Sequence, residues 1–513
     1  MRGPSSSHSA AGLRIGRIAL DLMGGCIDRV DIDYDPNGSL VTTHQCQGSD
    51  LGLFGGLMGW DADDPRLPDY AEHIVTAGIE VNTNYVSYGA THPNTYRLRL
   101  ENQEQTRTLV AVSLGGGMIE VQSIDEAQLK LSGGSFVLLV YLKDVNNPPP
   151  FLLDTLGAEN CIIHSGSCPM VESQSRKAYD QALLDALEQA PEVDSVRVLA
   201  PVVPVLDSGA TDAELPFTTC DGMLQFNRDR NLTLPQLALE YEMARSELSA
   251  SEIRGQVAHV LDVMKSGVAD GSRGTEFVDR ILPSQTLGFR EAQSAGKLAG
   301  GSVLSEVILA VTAVLEVKSS MGVIVASPTA GSCGVVPGAL LGIAKVLQPS
   351  DEQLIDALLV CGVIGMFIAR GATFAAEEGG CMAECGSAAG MVAAGIVTLN
   401  HGTIDQSIAA ASMALQNSFG MTCDTVANRV EAPCLGKNTM SAANAITSAD
   451  MAIAGYQHLI PLDEVIAAMA KVGEALPREL CCTGLGGLAI TSTSKRIEQQ
   501  LVQINQTSQP VTK

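Results

Sequence analysis

The stretch EEGGCMAECGSAAGMVAAGIVTL, residues 377–399, decides the fold of the second half of the chain. Its apolar end, and the apolar run LLVCGVIGMFIA at 358–369, are each shorter than the roughly 20 residues that a membrane-spanning helix needs. Both are therefore predicted to be helices buried in a protein core, without a membrane partner. Helical periodicity continues through most of the chain after residue 230. An all-α helical domain is thus predicted for 217–505, followed by a tail at 506–513.

The first part of the chain alternates between helix and strand patterns. A helix is predicted over 10–23, and turn signals such as DPNGS separate the strand-like runs that follow. The predicted strands are RVDIDY (29–34), SLVTTH (39–44), TYRLRL (95–100) and TLVAVSL (108–114). This pattern predicts an α/β (α+β) domain over residues 1–135.

Residues 136–216 are predicted to form a small α/β extension. They contain the strand-like runs FVLLVYL (136–142) and SVRVLAPVVPVL (195–206), with a helical pattern over 175–190 between them. A polar linker is predicted at 207–216. The predicted fold class is multidomain, with an N-terminal α/β domain followed by an all-α domain.

Net charge and cysteine content indicate which kinds of ligand and which cellular location to expect. The chain has 57 acidic and 32 basic residues among 513, a formal net charge of −25, which argues against a nucleic acid partner. An anionic small molecule is still compatible, because its site needs only local positive charge. The N-terminus MRGPSSSHSA has no apolar signal core, and the 13 cysteines are odd in number. Both features favour a reducing, cytoplasmic location with unpaired thiols.

Three cysteines lie in separated segments: Cys381 in EEGGCMAECG, Cys423 in GMTCDTVAN and Cys434 in VEAPCLGKN. Gly, Asn and Pro mark these segments as predicted loops, where thiolates from distant positions converge. Three thiolates can hold an iron–sulfur cluster and leave one iron without a protein ligand, and such an iron is a Lewis acid. Taken alone, a free cysteine is more often a small buried apolar side chain than a metal ligand, and spacing alone leaves both interpretations open.

Two further segments are rich in small residues. GPSSSHSAAG, at 3–12, precedes a predicted helix, where serines cap the N-terminus and the helix dipole attracts an anion such as a carboxylate. Arg14 and Arg17 add positive charge there. SPTAGSCGVVPGAL, at 327–340, allows backbone amides to approach a ligand. An ordinary helix cap and a tight loop between packed helices are the alternatives.

Together these motifs resemble those of the iron–sulfur L-serine dehydratases (L-serine deaminases), which do not use pyridoxal phosphate. GPSSSHS is similar to the family's GPSSSHT, and SLGGGMIE (113–120) is similar to its SVGGGFI segment. The family's catalytic-domain signatures are similar to SPTAGSCGVVPG, GGCMAECGSAAGM and CDTVANRVEAPCLGKN. The resemblance covers most of the chain and is weakest over 136–225.

The resemblance implies an N-terminal substrate or allosteric domain and an all-helical catalytic domain. It implies a 4Fe–4S cluster held by Cys381, Cys423 and Cys434, whose open iron binds the hydroxyl and carboxylate of a small amino or hydroxy acid. L-Serine would become 2-aminoacrylate and then pyruvate and ammonia, and a homodimer is expected. The implied substrate-binding residues are Ser5, Ser6, Ser7, His8, Ser9, Thr329, Ala330, Gly331, Lys437 and Asn438. Glu384 is interpreted as a partner of a site residue or of a nearby cation.

The chain departs from the family at the expected base. The family has a Gly-His-x-Thr-Asp motif, whereas this chain has HQCQGSD (44–50), with Gln47 in place of that histidine. Gln cannot act as a general base. His44 is the nearest substitute, although on a straight strand His44 and Gln47 point to opposite faces. His8 is the other candidate for the catalytic base.

This departure leaves other functions open. One alternative is a related dehydratase for a different β-hydroxy or β-substituted acid, and another is a catalytically inactive, amino-acid-binding relative. A pyridoxal-phosphate enzyme would need a recognisable Schiff-base lysine segment, and none is found in the sequence. Cys481 and Cys482 lie near the region where some family members carry a cysteine that occupies the open iron. Buried structural thiols are the other interpretation of this pair.

Overall fold

The computed structural model describes residues 1–144, 148–202, 215–246 and 248–508. The chain forms two compact units, Ser7–Ala210 (the N-terminal unit) and Met1–Ser6 with Thr211–Lys513 (the helical unit). One boundary between them divides the GPSSSHS motif after Ser6. The other falls in 203–214, outside the described residues, together with most of the predicted linker. Of the predicted tail, 506–508 are helical and 509–513 are outside the described residues.

The described part of the N-terminal unit contains two sheets and several helices. Their orders are β2-β1-β3-β4-β5-β6 and β10-β7-β9-β8. The strands, β1 to β10, are Arg29–Tyr34, Glu80–Tyr85, Thr95–Glu101, Thr106–Gly115, Met118–Ile124, Ala127–Leu131, Phe136–Leu142, Cys161–His164, Met170–Ser175 and Val193–Leu199. The helices, α1 to α6, are Ala11–Leu22, Leu40–Thr43, Ser49–Leu57, Tyr70–Thr76, Pro150–Leu156 and Gln181–Glu188. A single π-helical turn, Ser6–Ala10, precedes α1.

The core of this unit follows the sequence pattern. In β1 the residues Val30, Ile32 and Tyr34 are fully buried, and the residues between them are partly exposed, as expected for a strand with one buried face. β1 pairs in parallel with β2 and antiparallel with β3. Helix α1 adds Ile15 and Ile18 to the same apolar cluster. The helix predicted over 10–23 and the strands predicted at 29–34, 95–100 and 108–114 are confirmed.

The strand predicted for SLVTTH is wrong, because Leu40–Thr43 form the short helix α2. The hydroxyl groups of Thr42 and Thr43 both donate to the carbonyl of Ser39, at 3.2 and 2.8 Å. Such local side-chain bonds favour a helical turn over an extended strand. The opposite-face argument for His44 and Gln47 therefore does not apply, since the amide of Gln47 donates to the Thr43 carbonyl in a helix-like turn.

The described part of the helical unit contains helices α7 to α19. Their bounds are Cys220–Asn227, Leu234–Ser246, Ala250–Ser272, Thr286–Ser294, Gly301–Ser319, Val335–Leu347, Asp351–Gly371, Ala376–Cys381, Ser387–Leu399, Ile404–Gln416, Cys434–Ile453, Leu462–Glu474 and Ser492–Ser508. A π-helical turn, Met382–Gly386, joins α14 to α15, which lengthens the helix predicted around 391–399. An N-terminal α/β region and a helical C-terminal region are thus present.

Small residues let the central helices of this unit approach closely. On α12, a Cβ at Gly338 would lie 2.4 Å from Val311 of α11, and a Cβ at Gly342 would lie 2.6 Å from Val307. Real Cβ atoms essentially never lie within 3 Å of a non-bonded heavy atom, so glycine is needed at both positions. Close helix packing therefore accounts for the glycines at these two positions.

Two helical stretches are long and apolar enough to cross a membrane by length and composition alone. They are Asp351–Gly371 and Ala376–Leu399, and 72% and 94% of their most apolar windows are buried inside the fold. Core helices of folded domains pass the same test, so these stretches are weak evidence for a membrane span.

Candidate functional site

The three cysteines of the sequence motifs lie at helix ends and in one extended segment. Cys381 is the last residue of α14, and Cys434 is the first residue of α17. Cys423 alone is in an irregular segment, where it forms an isolated bridge with Cys481. The predicted loops are therefore wrong for Cys381 and Cys434. The glycine that suggested a loop, Gly380, instead lies at an abrupt bend before Cys381. The proline, Pro433, directly precedes the first residue of α17.

The thiols of these segments are buried together. The Cys423 thiol contacts the thiols of Cys381 and Cys482, and all three belong to one apolar cluster. Cys434 is close enough to Cys381 for their charges to interact. The backbone holds the contact, because the amide of Cys423 donates to the Leu480 carbonyl at 2.7 Å and the amide of Cys482 to the Cys423 carbonyl at 2.9 Å.

The type of donor in this group of thiols matches an iron–sulfur cluster. Among the described residues, no three His, Cys, Asp or Glu side chains are placed to hold one metal ion. In a cluster each thiolate binds a different iron, so the ligands need not meet at one point. Without a metal, the neighbouring thiols and burial raise the pKa of Cys423, and burial and Cys381 raise the pKa of Cys434. Convergent, buried cysteines of this kind are the ligand type that iron–sulfur clusters use.

Gly380 controls the bend before Cys381. Its φ is +63°, a left-handed conformation inside α14, and a Cβ there would lie 2.7 Å from the carbonyl oxygen of Met421. That carbonyl accepts a hydrogen bond of 2.9 Å from the amide of Met382. The chain therefore crosses tightly over the segment that carries Cys423, and only glycine fits at the crossing.

Lys437 brings positive charge to the thiols. Its Nζ donates to the Thr422 carbonyl at 2.5 Å and to Asp424 Oδ1 at 2.7 Å, and it lies 3.9 Å from the sulfur of Cys381. Burial by itself lowers the pKa of Lys437, but negative charge at Cys381 and Asp424 raises it above its ordinary value. Lys437 therefore stays protonated and places a positive charge near the sulfur of Cys381.

Asn438 fastens the 327–334 loop to α17. Its Nδ2 donates to the carbonyls of Gly331 and Cys434, at 2.8 and 2.9 Å, and its Oδ1 accepts from the Gly334 amide at 3.1 Å. The Asn438 amide is thus engaged by the protein on both its donor and acceptor atoms. It fixes the small-residue loop beside the helix that begins at Cys434.

Glu384 places a buried carboxyl group against the same loop. Its Oε1 accepts from the Thr329 hydroxyl at 2.7 Å, and a Cβ at Gly331 would lie 2.5 and 2.6 Å from its two oxygens. Burial raises the pKa of Glu384 to about 7, a rise that the Thr329 hydrogen bond only partly offsets. Within the described chain no cation forms an ion pair with Glu384, so of its two interpretations the pairing with a nearby cation is wrong. The spacing of apolar and polar residues around Glu384 did not predict a buried carboxyl group without a cation.

A buried lysine supports the segment that leads to Cys434. Lys318 on α11 is fully buried and donates to the carbonyl of Val430. On either side of Val430, Arg429 pairs with Asp279, and Glu431 accepts from the amides of Ile281 and Leu282. Three consecutive residues are therefore held by charged groups shortly before α17 begins. The sequence gave no indication of these contacts.

The serine motif is divided between the two units. In the helical unit, the Ser6 hydroxyl accepts from the Ala330 amide at 3.0 Å, and Ser5 is buried. Helix α1 begins after Ala10, which makes no side-chain cap, so the predicted serine cap is wrong. The π-helical turn takes up the serines instead. Ser7 and Ser9 are buried in the N-terminal unit, where the Ser9 hydroxyl donates to the Gln47 carbonyl at 3.4 Å.

Both candidate histidines are buried in the N-terminal unit. His44 Nδ1 lies 2.8 Å from both carboxylate oxygens of Asp50, and its Nε2 lies 2.8 Å from the Tyr85 hydroxyl. His8 Nε2 lies 2.8 Å from the Thr43 hydroxyl. His44 therefore has the carboxylate partner that orients a catalytic imidazole, whereas His8 Nε2 contacts a hydroxyl group.

Arg14 and Arg17 do not supply free positive charge. The buried Arg14 guanidinium donates to the carbonyls of Gly117 and Ser132, both at 2.9 Å. Arg17 donates to the Trp60 carbonyl and pairs with Asp61 at 3.0 Å. Both side chains brace α1 against neighbouring turns, so the expected contribution to an anion site is not supported.

Comparisons with known proteins identify the family. A family model described as "Serine dehydratase alpha chain" matches residues 229–489. The chain is 33% identical over 506 residues to an L-serine dehydratase of Helicobacter pylori, which covers 95% of this chain and 96% of that protein. It is 37% identical to a probable L-serine dehydratase alpha chain of Bacillus subtilis, and 36% identical to the L-serine dehydratase alpha chain of Peptoniphilus asaccharolyticus. Those matches cover 56% and 53% of this chain, and 95% and 94% of those proteins.

These findings place the protein among the lyases. More narrowly, the chain belongs to the L-serine dehydratase family. The matched region 229–489 contains Cys381, Cys423, Cys434 and the small-residue loop at 327–334.

Proposed function

We propose that this protein converts L-serine to pyruvate and ammonia with a 4Fe–4S cluster held by Cys381, Cys423 and Cys434. The observation that carries the proposal is the burial of these thiols together within the region matched by the family model. Membership of the family supports the reaction, and the donor set supports the cofactor. When bound, a cluster with one iron free of protein ligands would supply a Lewis acid for the departing hydroxyl group.

The residues of the helical unit have separate tasks in this proposal. Lys437 places a positive charge 3.9 Å from the sulfur of Cys381, and Gly380 permits the bend that brings Cys381 to Cys423. Ser6 and Asn438 fix the 327–334 loop through its backbone. The loop is thereby fixed before substrate arrives, which lowers the entropy lost on binding.

The reaction needs one proton removed and one hydroxyl lost. L-Serine loses its α-proton and its β-hydroxyl group as water, which leaves 2-aminoacrylate. That enamine tautomerises to an imine, takes up water and releases ammonia, so the net products are pyruvate and ammonia. Of the two candidate histidines we assign the proton transfer to His44, because Asp50 fixes its orientation and stabilises its protonated form. Asp50→Asn should then lower kcat far more than it raises KM.

The cluster and substrate assignments are tested together. Protein purified and reconstituted without oxygen is assayed for iron, sulfide, visible absorption and pyruvate production from L-serine and a panel of 3-hydroxy acids. Cys423→Ala should lose cluster and activity. Cys361→Ala, which removes another buried thiol from α13, should keep both. A full cluster in Cys423→Ala contradicts the ligand assignment. A loaded wild-type enzyme that ignores L-serine but dehydrates another acid supports the alternative substrate class suggested by Gln47.

A further inference from the structure

Glu384 has an unusual environment for a buried carboxyl group. Only 9% of the residue is exposed, and its single hydrogen bond in the described structure comes from the Thr329 hydroxyl to Oε1. Its Oε2 has no protein donor among the described residues. A buried carboxylate normally has a cation or several donors around it, because loss of hydration is costly. Glu384 has neither.

The cations that influence Glu384 are committed elsewhere. Lys318 and Lys437 both act on it electrostatically. Lys318, however, donates to the Val430 carbonyl, and Lys437 donates to Thr422 and Asp424. Neither ammonium group lies within ion-pair distance of the Glu384 oxygens. The protein thus leaves this carboxylate without a positive partner of its own.

The loop beside Glu384 is shaped to hold the carboxyl group. A Cβ at Gly331 would meet both carboxylate oxygens below 3 Å, so only glycine lets the group lie against the loop. Thr329 fixes one oxygen, and Asn438 and Ser6 in turn fix the loop. The position of Glu384 is therefore imposed from several sides, which is typical of a binding group rather than of a surface carboxylate.

We propose that Glu384 binds the α-ammonium group of the substrate, with Oε2 as the acceptor. The inference rests on the proposed function, which gives the substrate's departing hydroxyl group a partner but leaves its ammonium group without one. A primary ammonium supplies both the missing positive charge and donors for the unpaired oxygen. It also makes Glu384 a specificity-determining residue, because it favours 2-amino acids over 3-hydroxy acids that lack the amino group.

The test compares ligands that differ only in the ammonium group. L-Alanine and propanoate both lack a leaving hydroxyl, so they bind without reacting. Their apparent affinities for the cluster-loaded enzyme are measured from the rise in its midpoint of thermal unfolding with ligand concentration. Steady-state kinetics with L-serine give KM and kcat in parallel. Glu384→Gln keeps the shape and the acceptor for Thr329 but removes the charge. Glu377→Gln is the matched control, since Glu377 is equally buried, at 8% exposure, in the same segment.

Wild-type enzyme is expected to bind L-alanine more tightly than propanoate. Glu384→Gln should reduce that preference about 10- to 100-fold, the usual effect of a charged hydrogen bond, and raise KM for L-serine more than it lowers kcat. Glu377→Gln should change the preference much less. The inference is overturned if Glu384→Gln keeps the wild-type preference, or if Glu377→Gln alone loses it. If loaded wild-type enzyme makes no pyruvate, the proposed function fails, and the alanine–propanoate comparison still reports on Glu384.

Discussion

The bend at Gly380 gives the sharpest prediction about the thiol site. In Gly380→Ala the residue would have to keep φ +63° and place its Cβ 2.7 Å from the Met421 carbonyl oxygen. The backbone at Gly380, with φ +63° and ψ −167°, is in a region used almost only by glycine, and it costs an alanine roughly 1–3 kcal/mol. Relief of the clash breaks the hydrogen bond from Met382 to Met421, which contributes about 1 kcal/mol more. The total loss of stability should be roughly 2–4 kcal/mol.

Gly420→Ala is a control that separates backbone strain from the steric clash with a neighbouring segment. Gly420 also has a left-handed φ, +80°, but a Cβ there would meet nothing within 4 Å. It should therefore lose only the roughly 1–2 kcal/mol of conformational strain. Both variants are unfolded in urea without cofactor and followed by helical circular dichroism, and iron per chain is measured after anaerobic reconstitution. We expect the larger midpoint shift and the lower iron content for Gly380→Ala. Equal behaviour of the two variants would refute the idea that the Met421 crossing positions Cys381.

Three further predictions concern other parts of the fold. Lys318→Met leaves the Val430 carbonyl without its donor and should cost about 1–3 kcal/mol in urea unfolding, with reduced iron content; unchanged values would exclude a supporting role. Gly331→Ala should displace the Glu384 carboxyl and weaken L-alanine binding, whereas Gly436→Ala, with open space around it, should not. Backbone amides, first that of Asn37, lower the pKa of Asp35 to about 2. The stability lost in Asp35→Asn should therefore be greatest above pH 4 and vanish as pH falls through about 2.

The sheet and helix assignments show where sequence reasoning was sufficient. Strands β1, β3 and β4 and the long helices of the second half follow from hydrophobic periodicity, which depends on neighbours only a few residues away. The same reasoning gives the wrong element for SLVTTH. Its β-branched residues predict a strand, but its threonine hydroxyls donate to the Ser39 carbonyl and close a helical turn. The β-strand propensity of this segment was overridden by local side-chain hydrogen bonds, which amino-acid composition does not reveal.

The sequence by itself determined the family resemblance and the residues that the proposed function uses, because the cysteine and small-residue motifs stand in a recognisable order. Only the tertiary structure decided how they meet. Thr329 reaches Glu384 across 55 residues, and Ser6 reaches Ala330 across 324. Such contacts depend on how helices pack, so no local pattern encodes them. Packing also left Glu384 without a cation while committing Lys318 and Lys437 to other groups. Only the fold shows that, among the described residues, both lysines have partners while the Glu384 carboxylate has no cation.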